Sequence, residues 1–533
     1  MASPRTRHRD SDKTIQASSI IKLDHFILAT RDSGYKGTTS AIAELVDNAL
    51  QAGAQQVHIW IAKDPESEVH PLMIGVQDDG DGMDAPTLRQ ALRFGGTTRF
   101  NDRSGTGRYG MGLPNSSLSQ ARRVLVHTWR RPSPILMTYL DVDEIASGKM
   151  TEVPEPRVSD LPDWCPPLAS KTGTLVVWQR CDRLDNRRVS TLANKIEDFL
   201  GRVFRYRLWK DLKLTVNGSR VRPRDPLFLR AGTTPAAAKL FGDVMEYELQ
   251  SMTSNRSGGP TGKVWVRFSE LPIQDWHDLS NSEKRDLGVV DQPIVSVVRG
   301  DREIDRGWFF MGGKRRENYD DWWRCEVRFD PVLDEWFGIT HTKQQVRPVQ
   351  ELLGVLANDL ETQARALNLR VRAAHQGLKL RSQTAASEQR ASDREQVLAP
   401  LPRPNERERK AFGSAVAHHP TLKKWSADPV DPKSARRFAI VDGTPDRDIF
   451  FDVIRDTGRL AVILNRGHLF FRRVYAPLVE SDRLEDKALK ASLELLLLAA
   501  ARAESVLVGT NARAVLKRFR REWSTVLAAY LRA

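Results

Sequence analysis

At 533 residues the chain is too long for a single hydrophobic core, so roughly two to four domains are expected. Hydrophobic residues at 40% and charged residues at 28% exclude a fibrous or wholly disordered chain, while 82 Lys and Arg against 68 Asp and Glu leave a net charge of +14 that favours polyanionic partners. Cys165, Cys181 and Cys325 form no CxxC pair, which argues against structural zinc and for a reducing, cytoplasmic setting.

Residues 1–20 are charged and polar and read as a flexible arm rather than a secretory leader. The longest apolar run, 495–501, falls far short of the about 20 residues that span a bilayer, so no membrane partner is expected. From 38 to 52, Ile42, Val46, Ala49 and Leu50 share one stripe, which predicts a helix. Thr38, Thr39 or Ser40 is expected to cap it, and Gly53 to end it. Strands are expected at 57–61 and 72–76, the second running into a glycine-rich turn, an order that departs from the βαβ pattern of Rossmann-type nucleotide folds. Segment 94–112 holds six glycines among charged and hydroxyl side chains, the make-up of a mobile lid. A helix over 114–120 follows, then strands at 123–129 and 173–179, and a first domain covering 21–220. Residues 221–350 mix strands, among them 263–268 and 294–299, with loops. Leu352, Leu353, Leu356, Leu360, Ala364 and Leu367 then predict a helix over 351–382. A polar linker, 383–430, contains the basic stretch 403–424 and leads to a C-terminal domain, 431–533, with strands at 438–441 and 460–464 and a helical second half.

On the first long helix Glu44, Asp47, Asn48 and Gln51 lie opposite the apolar stripe, because residues three and four apart are neighbours. Alone, this pattern reads as a solvated face. Two glycine segments change its meaning. The first, Asp78, Asp79, Gly80, Asp81, Gly82 and Met83, ends a strand where glycines allow a ligand close to the backbone, and a buried carboxylate there suits an exocyclic amine such as that of adenine. A calcium loop is excluded because the later bidentate Glu is missing. The second, Gly107, Arg108, Tyr109, Gly110, Met111, Gly112 and Leu113, opens a helix with Pro114 in its first turn, which makes an anion site suited to phosphates. No Walker A glycine–lysine pattern occurs, so a P-loop enzyme is excluded.

The segments 44–49, 78–83 and 107–113 resemble the three motifs of the GHKL superfamily of Bergerat-fold ATPases, which includes gyrase, the ninety-kilodalton heat-shock chaperone, histidine kinases, MutL and MORC proteins. Gly173-Thr174 is similar to the Gly-Thr pair of that family. The resemblance implies ATP and Mg2+ as ligands, Glu44 as general base, Asn48 as magnesium ligand, and Asp78 as reader of the adenine amine beside Thr174. Gly107, Gly110 and Gly112 would wrap the phosphates. Gln51 stands where relatives often carry Asp, a position peripheral to the ATP contacts. The loop 337–345 resembles the one by which the second domain of gyrase-like and MutL-like members brings a lysine, here Lys343, to the γ-phosphate. The implied fold is α+β. It comprises an N-terminal α/β sandwich with helices layered on a mixed sheet, a transducer-like α/β domain and a smaller C-terminal α/β domain. Segments 94–100 and 107–120 most resemble prokaryotic MORC- and MutL-related ATPases found at defence loci. That resemblance implies a nucleotide-gated clamp, homodimeric through its ATP-bound N-domains, acting on DNA or with nuclease or helicase partners in anti-phage defence. A chaperone-like ATPase that remodels protein partners without DNA is the alternative. His468 reads as a packed histidine, since no second ligand stands at metal spacing.

Overall fold

The computed structural model describes residues 22–35, 37–65, 68–69, 71–96, 110–166, 168–252, 260–339, 345–427, 437–445, 448–481, 483–507 and 509–532. The chain divides into two compact units, one of Met1–Leu271 with Asn281–Ala364 and the other of Pro272–Ser280 with Arg365–Ala533.

The first unit begins with an eight-stranded mixed sheet: β1 (Gln56–Lys63), β2 (Leu72–Asp78), β3 (Arg123–Arg130), β4 (Leu136–Asp141), β5 (Arg157–Val158), β6 (Thr172–Gln179), β7 (Lys213–Val216) and β8 (Ser219–Arg220), in the order β5-β4-β3-β6-β2-β1-β7-β8. All its pairings are antiparallel except β1 with β7. Strand β1 alternates as the sequence predicts, with Val57, Ile59 and Ile61 buried. Strand β2 is buried along its whole length because both faces of the sheet are covered. Val124, Val126, Val176 and Trp178 join one core, while Leu175, Val177 and Trp129 join another with Trp164 and Cys165 of the proline-rich loop.

Helices α1 (Leu23–Ser33), α2 (Thr38–Gln51), α3 (Ala85–Ala91), α4 (Gly112–Gln120), α5 (Val142–Ala146), α6 (Val189–Val203) and α7 (Arg205–Leu208) complete this domain. Ile42, Val46 and Ala49 of α2 are buried as their spacing predicts, and each fully buried Ile or Val contributes about 1.5–3 kcal/mol. The expected cap is replaced. Gly37 is the N-cap of α2, no side chain of 38–40 caps it, and the Thr38 amide donates to Asp185 Oδ2 at 2.9 Å. Thr38 lies one step inside the helix, where its hydroxyl donates to Gln120 Oε1 at 3.0 Å.

A second, five-stranded sheet follows, of β9 (Lys239–Gln250), β10 (Thr261–Glu270), β11 (Val295–Arg299), β12 (Arg302–Gly307) and β13 (Trp323–Phe329), ordered β12-β11-β13-β10-β9. Val264, Val266, Phe268, Val297, Trp323 and Phe329 are buried in it. Short helices α8 (Ile273–Trp276) and α9 (Asn281–Leu287) follow β10 in the chain. Arg205 of α7 is fully buried against this sheet, pairing with Glu303 at 2.7 Å and Glu326 at 2.5 Å, while Tyr206 donates to Glu326 at 2.6 Å. Arg202 of α6 also pairs with Glu303. Charges this deep persist only when paired, so the network fixes the register between helices and sheet.

Helix α10 (Gln350–Arg394) runs well past the expected end at 382. Leu352, Leu356, Leu360 and Ala364 are fully buried in the first unit and Leu367 and Val371 in the second. The stretch 383–430, whose polar composition suggests a linker, instead holds the end of α10, then α11 (Glu406–His418) and α12 (Pro420–Ala427). Its polar residues are the outer faces of helices anchored by buried Phe412, Leu422 and Trp425, and Asn405 with Glu408 forms a capping box at α11.

The second unit adds a three-stranded sheet, β14 (Phe438–Gly443), β15 (Phe451–Asp456) and β16 (Arg459–Asn465), in the order β14-β16-β15. Helices α13 (Ala476–Glu480), α14 (Leu484–Val506) and α15 (Thr510–Tyr530) follow, around a core of Phe450, Phe451, Val462, Tyr475 and Leu498. His468 is packed here, Nε2 bonded to Ser524 O at 3.0 Å and Nδ1 accepting from Phe470 N at 3.1 Å. Among the described residues no helix is long and apolar enough to cross a membrane.

Candidate functional site

The polar face of α2 is enclosed rather than solvated. Glu44 and Asp47 are each 2% exposed, and Asn48 is half-buried one turn beyond Glu44. Three neighbours account for this. The Tyr35 hydroxyl donates to Glu44, and burial, together with that carboxylate, pushes the phenol far above its usual range. The start of α4 presses on the same group, since a Cβ on Gly112 would stand 2.3 Å from Glu44 Oε1. Arg302, on β12 of the second sheet, places Nε 2.6 Å from Asp47 Oδ2.

Asp78 closes β2 at 7% exposure, opposite Thr174 of β6 in antiparallel register. Its Oδ1 accepts the Gly80 amide at 2.8 Å. Burial pushes its carboxyl up to about 7, although backbone donors at Gly80 and Thr174 pull the other way. Asp79 is engaged differently: its Oδ1 accepts the Gln55 and Gln56 amides, both at 2.8 Å, tying down the start of β1. Gly82 has φ +64° and a Cβ there would lie 2.4 Å from Trp129 O, so the turn admits no other residue without rearrangement. The next amide, Met83, donates to Thr128 Oγ1 at 2.8 Å, and that hydroxyl donates to Gly173 O at 3.0 Å. The acidic turn and the Gly173-Thr174 pair are thereby held together.

The described parts of the three sequence segments meet. The Asp81 amide donates to Ala52 O at the C-cap of α2 at 2.9 Å, while Gly112 abuts Glu44 on the same helix. Gly110 takes φ +63° and its carbonyl accepts the Gly95 amide at 3.1 Å; Met111 is the N-cap of α4, and Leu113 is half-buried against the core. Gly107, Arg108, Tyr109 and Lys343 lie outside the described residues, as does 97–109 of the expected lid. Three residues central to this arrangement escape sequence reasoning: Tyr35, Thr128 and Arg302. Each acts on a partner far along the chain or outside any motif, so no spacing announces it.

These residues fit an adenine nucleotide. A buried carboxyl flanked by backbone donors suits the exocyclic amine and ring, and glycines keep the approach open. The N-terminal turn of α4 suits phosphate. Among the described residues no three His, Cys, Asp or Glu are grouped to hold a metal, but magnesium binds through one or two protein oxygens plus phosphates, and the Asn48 amide oxygen is of that kind. A cavity of about 850 Å3 between α1, α3 and α5, lined by Phe26, Arg89, Leu92, Phe94 and Ile145, includes neither Glu44 nor Asp78.

Residues 35–172 match the family described as histidine kinase-, DNA gyrase B-, and HSP90-like ATPase. The chain is 35% identical over 102 residues to Protein MICRORCHIDIA 6 of Arabidopsis thaliana, covering 19% of this chain and 15% of that protein. It is 31% identical over 103 residues to MORC family CW-type zinc finger protein 3 of Mus musculus, covering 19% and 11%. Against ATPase morc-1 of Caenorhabditis elegans it is 31% identical over 125 residues, covering 24% and 14%. The chain thus spans less than a sixth of the length of the curated relatives it matches. The match covers both Glu44 and Asp78, and residues 35–172 are a domain of the GHKL ATPase superfamily, with MORC proteins among the relatives of this chain.

Proposed function

We propose that this chain binds ATP with magnesium and hydrolyses it to ADP and phosphate, with Glu44 as the general base. The observation that carries this reading is the convergence on α2: Glu44 lies beneath the start of α4, and the Asp78 turn is bonded to the C-cap of the same helix. Asp78 accepts the adenine amine beside Thr174, and the amides at Gly110, Met111, Gly112 and Leu113 face phosphate. Gly80, Gly82 and Met83 form the floor of the purine site, while Gly107, Arg108 and Tyr109 complete the phosphate loop. Asn48 would hold magnesium, which would supply positive charge to the phosphates. Glu44, oriented by the Tyr35 hydroxyl, takes the proton of the attacking water. Lys343 supplies a positive charge to the γ-phosphate.

Glu44→Ala is expected to keep ATP affinity while hydrolysis falls by about 10²–10⁴, the usual loss for a positioned base. Calorimetry and a phosphate-release assay on the same preparation decide it, and wild-type turnover in the variant removes Glu44 from its role.

The wider reading is a nucleotide-gated clamp that dimerises through its ATP-bound N-domains and acts on DNA, with nuclease or helicase partners. The net charge of +14 supports it. ATP-dependent dimerisation in solution tests the clamp, and stimulation by protein clients without any response to DNA redirects the reading to a chaperone. The setting in anti-phage defence rests on the sequence resemblance alone, and challenge of cells carrying the Glu44→Ala variant with phage tests it.

A further inference from the structure

We infer that Arg302 is a positioning residue for Glu44, through which the second sheet acts on hydrolysis; the inference rests on the ATPase reading above. Arg302 and Asp47 are 2.6 Å apart with side chains 10% and 3% exposed, so the contact is an interior one. Asp47 lies three residues beyond Glu44 on α2, a neighbouring position on the same helical face. The Tyr35 hydroxyl joins the two pairs. It donates to Glu44 while lying close enough to Arg302 and Asp47 to feel both charges. Tyr35, Glu44, Asp47 and Arg302 therefore form one buried cluster, of which Arg302 alone comes from the second sheet.

Arg302 is itself held from several sides. Its guanidinium lies over the Phe204 ring at 5.8 Å, and the next residue of β12, Glu303, receives both Arg202 and Arg205. Strand β12 thus grips α2 through one residue and the α6–α7 segment through the next. A buried ion pair adds little net stability over a well-packed apolar pair, yet removing one partner leaves the other charge buried and uncompensated. The consequence of Arg302 is the placement of α2, and a base displaced by about 1 Å loses on the order of 10²-fold in rate.

The test uses the full chain with Arg302→Gln, Arg302→Lys and Asp47→Asn, each also combined with Glu44→Ala. Readouts are kcat and KM for ATP, affinity for a non-hydrolysable ATP analogue by calorimetry, and the thermal midpoint. Arg302→Gln is expected to lower kcat by about ten-fold or more while analogue affinity stays within about three-fold, the signature of a group that acts after binding. Arg302→Lys recovers most of kcat, and Arg302→Gln costs nothing further in the Glu44→Ala background. If Arg302→Gln does not fold, the near-isosteric Asp47→Asn carries the same expectation. Wild-type kcat in folded Arg302→Gln, or analogue affinity falling in step with kcat, overturns the inference. Absence of hydrolysis in the wild type overturns the ATPase reading instead. Hydrolysis that depends on Glu44 but ignores Arg302 overturns this inference alone.

Discussion

Burial pushes the Asp78 carboxyl up to about 7, whereas Asp79 beside it accepts the Gln55 and Gln56 amides and ties down the start of β1. An adenine amine donates more strongly to a charged carboxylate than to a neutral carboxyl, and affinity for ATP is therefore expected to weaken as pH falls through about 7 and Asp78 takes up a proton. Calorimetry between pH 8 and pH 6 checks this. Asp78→Asn should bind more weakly at every pH and lose the pH dependence, and a wild-type affinity as flat as that of the variant sinks the assignment. Without nucleotide the same group acts on stability in the opposite direction. Its folded value stands above the ordinary 3.8, so ionising it costs stability as pH rises from about 4 to about 7. The places of Glu44 on a helix face and of Asp78 at a strand end are legible in the sequence because short-range spacing sets them. The contacts of Tyr35 and Arg302 are not, because they depend on which distant segments fold against α2.

At the scale of elements, local periodicity foretells four of the eight strands of the first sheet and α2, but not what covers a strand from above. His127 on β3 and Gln77 on β2 both stand beside Leu175 of β6 in the sheet register, on the face closed by the loop bearing Trp164 and Cys165. His127 is 3% exposed, among the described residues neither ring nitrogen has a hydrogen-bond partner, and burial lowers its pKa to about 4. In the unfolded chain it titrates near its ordinary 6.5. The unfolded state thus gains a proton first, and this residue removes stability as pH falls from about 6.5 toward 4, about 2 kcal/mol by pH 5. His127→Leu should therefore have a thermal midpoint that declines less than that of the wild type between pH 7 and pH 5. Equal declines would show that the ring is protonated or hydrated in the folded protein. The same limit explains the misread stretch 383–430: a polar composition describes the outer face of a helix as well as a linker, and only burial of Phe412, Leu422 and Trp425 separates the two.

For the whole molecule, the net charge of +14 becomes informative once internally paired cations are set aside. Arg455, Arg502 and Arg520 of the second unit bond to Glu408, Glu395 and Asp452, so they neutralise interior acids. Arg403, Arg407, Arg409, Lys410 and Lys423, in and beside α11 and α12, are exposed, as are Lys517 and Arg518 on α15. A clamp that grips DNA through such side chains contacts phosphates rather than base edges, and each neutralised phosphate releases counterions. Contact with roughly five phosphates predicts an affinity loss of about 10²–10³ between 50 and 200 mM salt, with little dependence on DNA sequence. Replacing Arg407, Arg409 and Lys410 by Gln should reduce the slope of log affinity against log salt by about one for each cation that touches phosphate. Filter binding with duplex DNA at several salt concentrations measures both quantities, and an ATPase assay on the same duplex reports whether the contact is coupled to Glu44. Absence of binding even at 50 mM salt would leave the exposed cations as a solvated surface and turn the search for a partner toward protein.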